Sequence, residues 1–254
     1  MLSHKTVRWI PLILLLLMWA FFSRVNQTFH LFNPILLPSP TDVFVELWNL
    51  FKTGKLVDHI QASLIRVILG FLLGAGLGLF SGLLAGAFRP VQDMVEPIVE
   101  LLRPIPPLAL LPMMVLWFGI AETSKVIFIG YTSFFPVFIT TMEGIKNVDP
   151  LLIRAALTLG ASRKDLFWKV MIPASFPQII TGLRLSIGLS FFVIVAAEFV
   201  AADRGLGFLI NDGRNFFLMP QMMGAAIVIG ILGYSINTLV KKMERRLLQW
   251  REDQ

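Results

Sequence analysis

Long apolar runs decide what this chain can fold into. Several stretches approach the ~20 consecutive apolar residues that a helix needs to cross a bilayer. Hydrophobic residues fill 56% of the 254 positions, more than a soluble domain of that length carries. The expected class is an all-α membrane protein with about six transmembrane helices, built as one domain over residues 1–254. The spans are read as Trp9 to Phe22, Ile60 to Phe88, Pro106 to Ile120, Ser124 to Met142, Phe176 to Ala202 and Met222 to Val240. The first resembles the apolar core of a signal peptide. No small-x-small cleavage site follows it in "FFSRVNQ", so a retained helix is expected.

The net charge of +6 is unevenly spread. With the N-terminus inside, Arg89, Arg103, Lys146, Arg163, Lys164, Lys169 and the basic residues from Lys241 to Arg251 share one side. The other side keeps Arg24, Lys52, Lys55, Arg66, Lys125, Arg204 and Arg214. Lys and Arg accumulate on cytoplasmic loops, so both termini are expected in the cytoplasm.

The absence of Cys excludes disulfides, thiolate metal sites and Cys nucleophiles. His4, His30 and His59 lie far apart and form no metal-ligand pattern. The phosphate-cradling G-x-x-x-x-G-K-[ST] is absent, as are H-E-x-x-H and G-x-S-x-G. The chain is expected to carry no catalytic residue, bind no metal or cofactor and act on no nucleic acid.

Three stretches show how the spans are arranged. In "SPTDVFVELWNLF", Ser39 and Pro40 open a short helix, expected on the outer membrane surface. Gly70, Gly74, Gly78, Gly82 and Gly86 recur every four residues, so one helical face permits close approach of another backbone. In "RPIPPLALLP", Pro104, Pro106 and Pro107 suit a turn into the third span, and Pro112 is expected to bend it.

The segment "RAALTLGASRKDLFWKVMIP" interrupts the apolar pattern. Asp149 before Pro150 is an N-cap followed by Pro at the first helical position, and Gly160 is a C-terminal stop. Ser162 and Asp165 form a capping pair for a second short helix over residues 163–171, which Pro173 should end. Ser175 and Gln178 then repeat the signature at the start of the fifth span. The first of these short helices is apolar nearly all round: Leu151, Leu152, Ile153, Ala155, Ala156, Leu157 and Leu159 against Arg154 and Thr158. Each such side chain left wet forfeits roughly 1 to 3 kcal/mol. Lipid headgroups and loops, or a second protein, must cover it. The small residues Ala155, Ala156, Gly160 and Ala161 would permit close docking. Its ends are tethered to two spans, so a DNA-reading helix–turn–helix has no room for a duplex.

These residues resemble the cytoplasmic loop E-A-A-x3-G-x9-I-x-L-P of permease subunits of ATP-binding-cassette importers. Ala155, Ala156, Gly160, Val170, Ile172 and Pro173 reproduce its spacing, with Arg154 in place of the Glu. "RPIPPLALLPMMVLWFGIAETSK" and "AAEFVAADRGLGFLI" look like the branch that imports taurine, alkanesulfonates and nitrate. The resemblance implies a type I importer permease fold in a bacterial inner membrane. It also implies a coupling loop over about residues 143–175, with Arg154, Ala155, Ala156, Leu159, Gly160, Ala161, Ser162 and Pro173 contacting a separate ATPase subunit that holds ATP and Mg. An extracytoplasmic substrate-binding protein and a second permease copy would complete the assembly in the lipid bilayer. A permease for another small nutrient, such as a vitamin precursor, and a self-sufficient carrier or channel are the alternatives.

Polar residues within spans are costly and mark either a wet path or a structural pair. Glu198 would serve a translocation path or gate, or pair with a backbone donor or a cation such as Arg204. Arg184 would snorkel or attract a departing anion. Ser186, Ser190 and Asn237 would extend it into a polar stripe.

Overall fold

The computed structural model describes residues 10–247, and these are arranged as helices and their connections. In chain order they are α1 (Ile10–Phe29), α2 (Pro40–Lys52), α3 (Lys55–Ala87), α4 (Arg89–Leu102), α5 (Pro107–Phe118) and α6 (Glu122–Lys146). Then follow α7 (Pro150–Thr158), α8 (Arg163–Asp165), a π-helical stretch (Leu166–Met171), α9 (Ile172–Ala201), α10 (Leu206–Asn215) and α11 (Met219–Leu247).

Two compact units share these helices. The first takes the described residues up to 62 together with 203–230. Within it, α1 runs on past the expected end at Phe22 to Phe29. The reason is local anchoring. Trp19 Nε1 and Ser23 Oγ donate to the carbonyls of Pro38 and Leu37, and Asn26 Oδ1 accepts from the Phe32 amide. Trp9, the expected start, lies outside the described residues. The short helix after Ser39 forms as expected, as α2. Ser39 Oγ accepts from the Asp42 amide while Asp42 Oδ2 accepts from the Ser39 amide, a complete capping box. Gly224 on α11 faces Leu47 of α2, and His59 stacks on Phe208.

The second unit takes residues 63–202 and those from 231 onward. Its centre is α6, where Phe128, Ile129, Val137 and Phe138 are fully buried. α9 packs extensively along α6. One core cluster joins Val67, Ile129, Phe191 and Ile194, and another joins Leu111, Met114, Phe128, Val193 and Ala197. The glycine repeat of α3 lies on α6. A methyl added at Gly74 would strike the carbonyl of Gly130, and one at Gly78, Gly82 or Gly86 would meet Phe134, Phe138 or Ile145. This is the small-residue packing by which backbones approach within a bilayer.

Three expectations need correction. The third span, expected over Pro106 to Ile120, is the single helix α5, too short to cross alone, and it meets α4 at a 99° bend. Twelve residues of α5 rise only about 18 Å, well short of a bilayer core. The bend falls at Pro104–Pro107, where successive prolines cannot continue a helix, and Pro112 lies inside α5. Next, Pro173 does not end the second short helix. The chain stays helical from Arg163 through Ala201, and the widened π-turn just before Pro173 absorbs its missing N–H. Finally, Ser175 and Gln178 cap nothing. Ser175 Oγ donates to the Ile172 carbonyl inside the helix, and both residues pack on Gly144 of α6.

Candidate functional site

The interrupting segment is built by its caps. Asp149 Oδ1 accepts from the Leu151 amide at 2.7 Å and fixes the start of α7. At the other end the Gly160 amide donates to Leu157 O and the Ala161 amide to Ala156 O, both at 3.0 Å. These two bonds are the Schellman pattern, and they place Gly160 at φ +82°, the left-handed conformation that glycine tolerates. The spacing from Ala156 to Gly160 therefore has a backbone cause. Ser162 Oγ accepts from the Asp165 amide and starts α8.

The helix so delimited is poorly covered. α7 packs on the π-helical stretch. Leu151, Leu152 and Leu157 are exposed, and Leu159 is 88% exposed. Arg154, Ala155, Gly160 and Ser162 are also exposed, Ala156 and Ala161 half-buried. Pro173 is exposed in the first turn of α9. Most of the expected coupling residues are thus exposed.

A second feature is a groove of about 730 Å³ bounded by α5, α6 and α9. Leu108, Phe135, Ile139, Leu185, Leu189 and Phe192 give it an apolar lining. Its hydroxyls are already committed. Tyr131 donates to Leu102 O, Thr132 to Ile129 O and Thr140 to Pro136 O. Arg103 is the charged residue that borders it.

None of the five polar residues expected on a pathway lines this groove. Ser186 Oγ donates to Ser133 O, and the Ser190 and Ser133 hydroxyls meet at 2.8 Å, all buried where α9 crosses α6. Arg184 pairs with Glu244 of α11 at 2.7 Å. Asn237 is exposed on α11. Glu198 is buried and held by Arg66, with Ser63 Oγ donating to both its oxygens at 2.8 and 3.0 Å. Arg66 also binds Glu122, which Lys125 joins. Arg66 and Lys125 were expected only to lie on the outer side of the membrane. The usable signal was Arg66 itself, a cation among Leu64, Ile65, Val67 and Ile68 that requires a carboxylate from another span. Among the described residues no group of three His, Asp or Glu gathers closely enough to hold a metal ion.

Residues 74–251 match the family described as binding-protein-dependent transport system inner membrane component. The chain is 38% identical over 228 residues to the taurine transport system permease protein of Escherichia coli (strain K12), covering 88% of this chain and 83% of that protein. It is 35% identical over 218 residues to the nitrate import permease protein of Leptolyngbya laminosa, covering 82% of this chain and 78% of that one. Its fold superimposes on a chain of the inward-facing MetNI methionine ABC transporter with a TM-score of 0.67, over 77% of this chain and 97% of that one, at 18% identity. The all-helical architecture is thus the type I importer permease fold. This chain belongs to the family of binding-protein-dependent inner-membrane transport components, the non-catalytic transmembrane subunits of ATP-binding-cassette importers whose ATPase resides in a separate subunit.

Proposed function

We propose that this chain is the membrane half of an importer for a small oxyanion-bearing solute, an organosulfonate of the taurine kind or nitrate. The observation that carries the coupling part of the reading is the exposure of Leu151, Leu157 and Leu159 on a helix closed by the Gly160 turn. A contiguous apolar surface of this kind marks a site that another protein covers. The occupant is the ATPase subunit, which holds ATP and Mg. Closure of its dimer pulls α7, and α8 with the π-helical stretch transmits that pull into α9 without a break.

The groove beside α5, α6 and α9 is the translocation path, completed by a second copy of this chain. Its apolar wall lets a solute slide, and Arg103 supplies positive charge at one mouth. An anion is the solute that such a lone cation favours. An extracytoplasmic binding protein delivers it to loops such as the one around Gly205, with both termini of the permease in the cytoplasm of a bacterial inner membrane. The relatives named for taurine and nitrate support the solute class.

The test is uptake by the assembled transporter with its own binding protein, over a panel of sulfonates, nitrate and uncharged nutrients. ATP-dependent uptake confined to the anions is expected. Uptake confined to an uncharged solute would contradict the reading.

A further inference from the structure

Arg66 is 2% exposed and Lys125 3%, yet the carboxylate they share belongs to Glu122, whose side chain is 51% exposed. The guanidinium is oriented from behind. Nη1 donates to Glu198 Oε1 at 2.7 Å, and Ser63 fixes that buried carboxylate in turn. The opposite edge of the fork faces Glu122, with Nε and Nη2 reaching Oε2 and Oε1 at 2.5 and 2.6 Å. Lys125 Nζ adds a third donor to Oε1 at 3.2 Å.

We propose that Arg66 and Lys125 form an oxyanion-binding site, filled in this structure by the Glu122 carboxylate, which a small solute oxyanion such as a sulfonate or nitrate displaces.

The charge balance requires an anion there. Glu198 neutralises one of the two buried cations, and withdrawing Glu122 leaves the other uncompensated. The geometry suits an oxyanion specifically. A guanidinium edge presents two parallel N–H groups that match two oxygens on one central atom, as in carboxylate, sulfonate or nitrate. A chloride ion cannot engage both donors in that way. Glu122 is also the residue best placed to leave. It is the first residue of α6, preceded by the turn at Gly119, and its side chain can swing into solvent without opening the helix. Arg66 lies within α3 and Lys125 in the first turn of α6; both side chains are buried and stay. The site is thus a fixed cationic floor beneath a movable carboxylate. The proposal rests on the anion reading above for its solute class, whereas the site itself rests on this geometry.

The phosphate of an anionic lipid has the same chemistry, so the test separates the two sources. Full-length permease in nanodiscs of neutral lipid is titrated with sodium nitrate or sodium methanesulfonate, at ionic strength held constant with chloride, and thermal unfolding is followed. Both oxyanions should raise Tm above chloride. Glu122→Gln should lower the half-saturating concentration at least tenfold, and Lys125→Met should remove the effect. Glu122→Asp, which keeps the charge but shortens the reach, should shift the titration in the same direction by less, and it serves if Glu122→Gln does not fold. A folded Glu122 variant with no oxyanion-specific stabilisation overturns the proposal. So does stabilisation of Glu122→Gln by phosphatidylglycerol nanodiscs together with indifference to nitrate and methanesulfonate. Intact sulfonate or nitrate uptake alongside a negative titration sinks this site and leaves the importer reading standing. Oxyanion binding alongside uptake of uncharged solutes alone does the reverse.

Discussion

Arg66 and Glu198, 132 positions apart in the chain, meet as a buried ion pair at 2.7 Å that ties α3 to α9. Each charge is buried among apolar neighbours, and neither could be left there unpaired.

Removing one partner of that pair should be costly. Glu198→Ala leaves the Arg66 guanidinium short of one of its two carboxylates and is expected to destabilise the folded permease by about 3–5 kcal/mol. Replacing both, as in Arg66→Met with Glu198→Leu, should recover most of the loss. Unfolding in detergent, followed for the single and double variants, checks this. Additive losses would contradict it.

The glycine face of α3 predicts a contrast within one helix. Gly74→Ala would drive a methyl into the Gly130 carbonyl, a backbone atom that cannot swing aside, and should cost about 1–3 kcal/mol. Gly76 has nothing within 4 Å, so Gly76→Ala should be neutral or gain up to about 1 kcal/mol from helix propensity. Thermal unfolding should shift down for Gly74→Ala and stay level or rise for Gly76→Ala.

At Gly160 the constraint is conformational. An added Cβ would meet nothing within 4 Å, but φ is +82°. A β-branched residue pays the left-handed penalty of roughly 1–2 kcal/mol, whereas Asn tolerates that region better. Gly160→Val should therefore lose ATP-driven uptake while still inserting in the membrane, and Gly160→Asn should keep more of it. Equal uptake by both would remove the turn from the coupling account.

How much of this was legible in the sequence follows from what each signal depends on. Caps at Ser39, Asp149 and Ser162 and the Gly160 stop are local, fixed by a residue and its neighbours within a turn, and they were readable. The close-packing face of α3 was readable because four-residue spacing maps onto one helical side. Pro173 misled because a proline's effect depends on the helical register before it, and a π-turn leaves no mark in composition. The α4–α5 bend could be placed at the prolines, but its 99° and the helix before it could not. The Arg66–Glu198 pair needed the pairing of distant helices, as did the packing of Ser186 and Ser190 against α6. Spacing along one helix says nothing about what the next helix brings.

The central claim is that α7 is covered by a separate ATPase subunit. The chain contains no Cys, so Leu159→Cys introduces a single thiol at its most exposed leucine. Crosslinking that thiol to single cysteines in the ATPase subunit, within an assembled transporter that still imports solute, is the direct measurement. The account predicts an efficient permease–ATPase adduct whose formation arrests ATP-driven uptake. Full ATP-driven uptake with no adduct from Leu159→Cys, nor from Ala156→Cys, would contradict it.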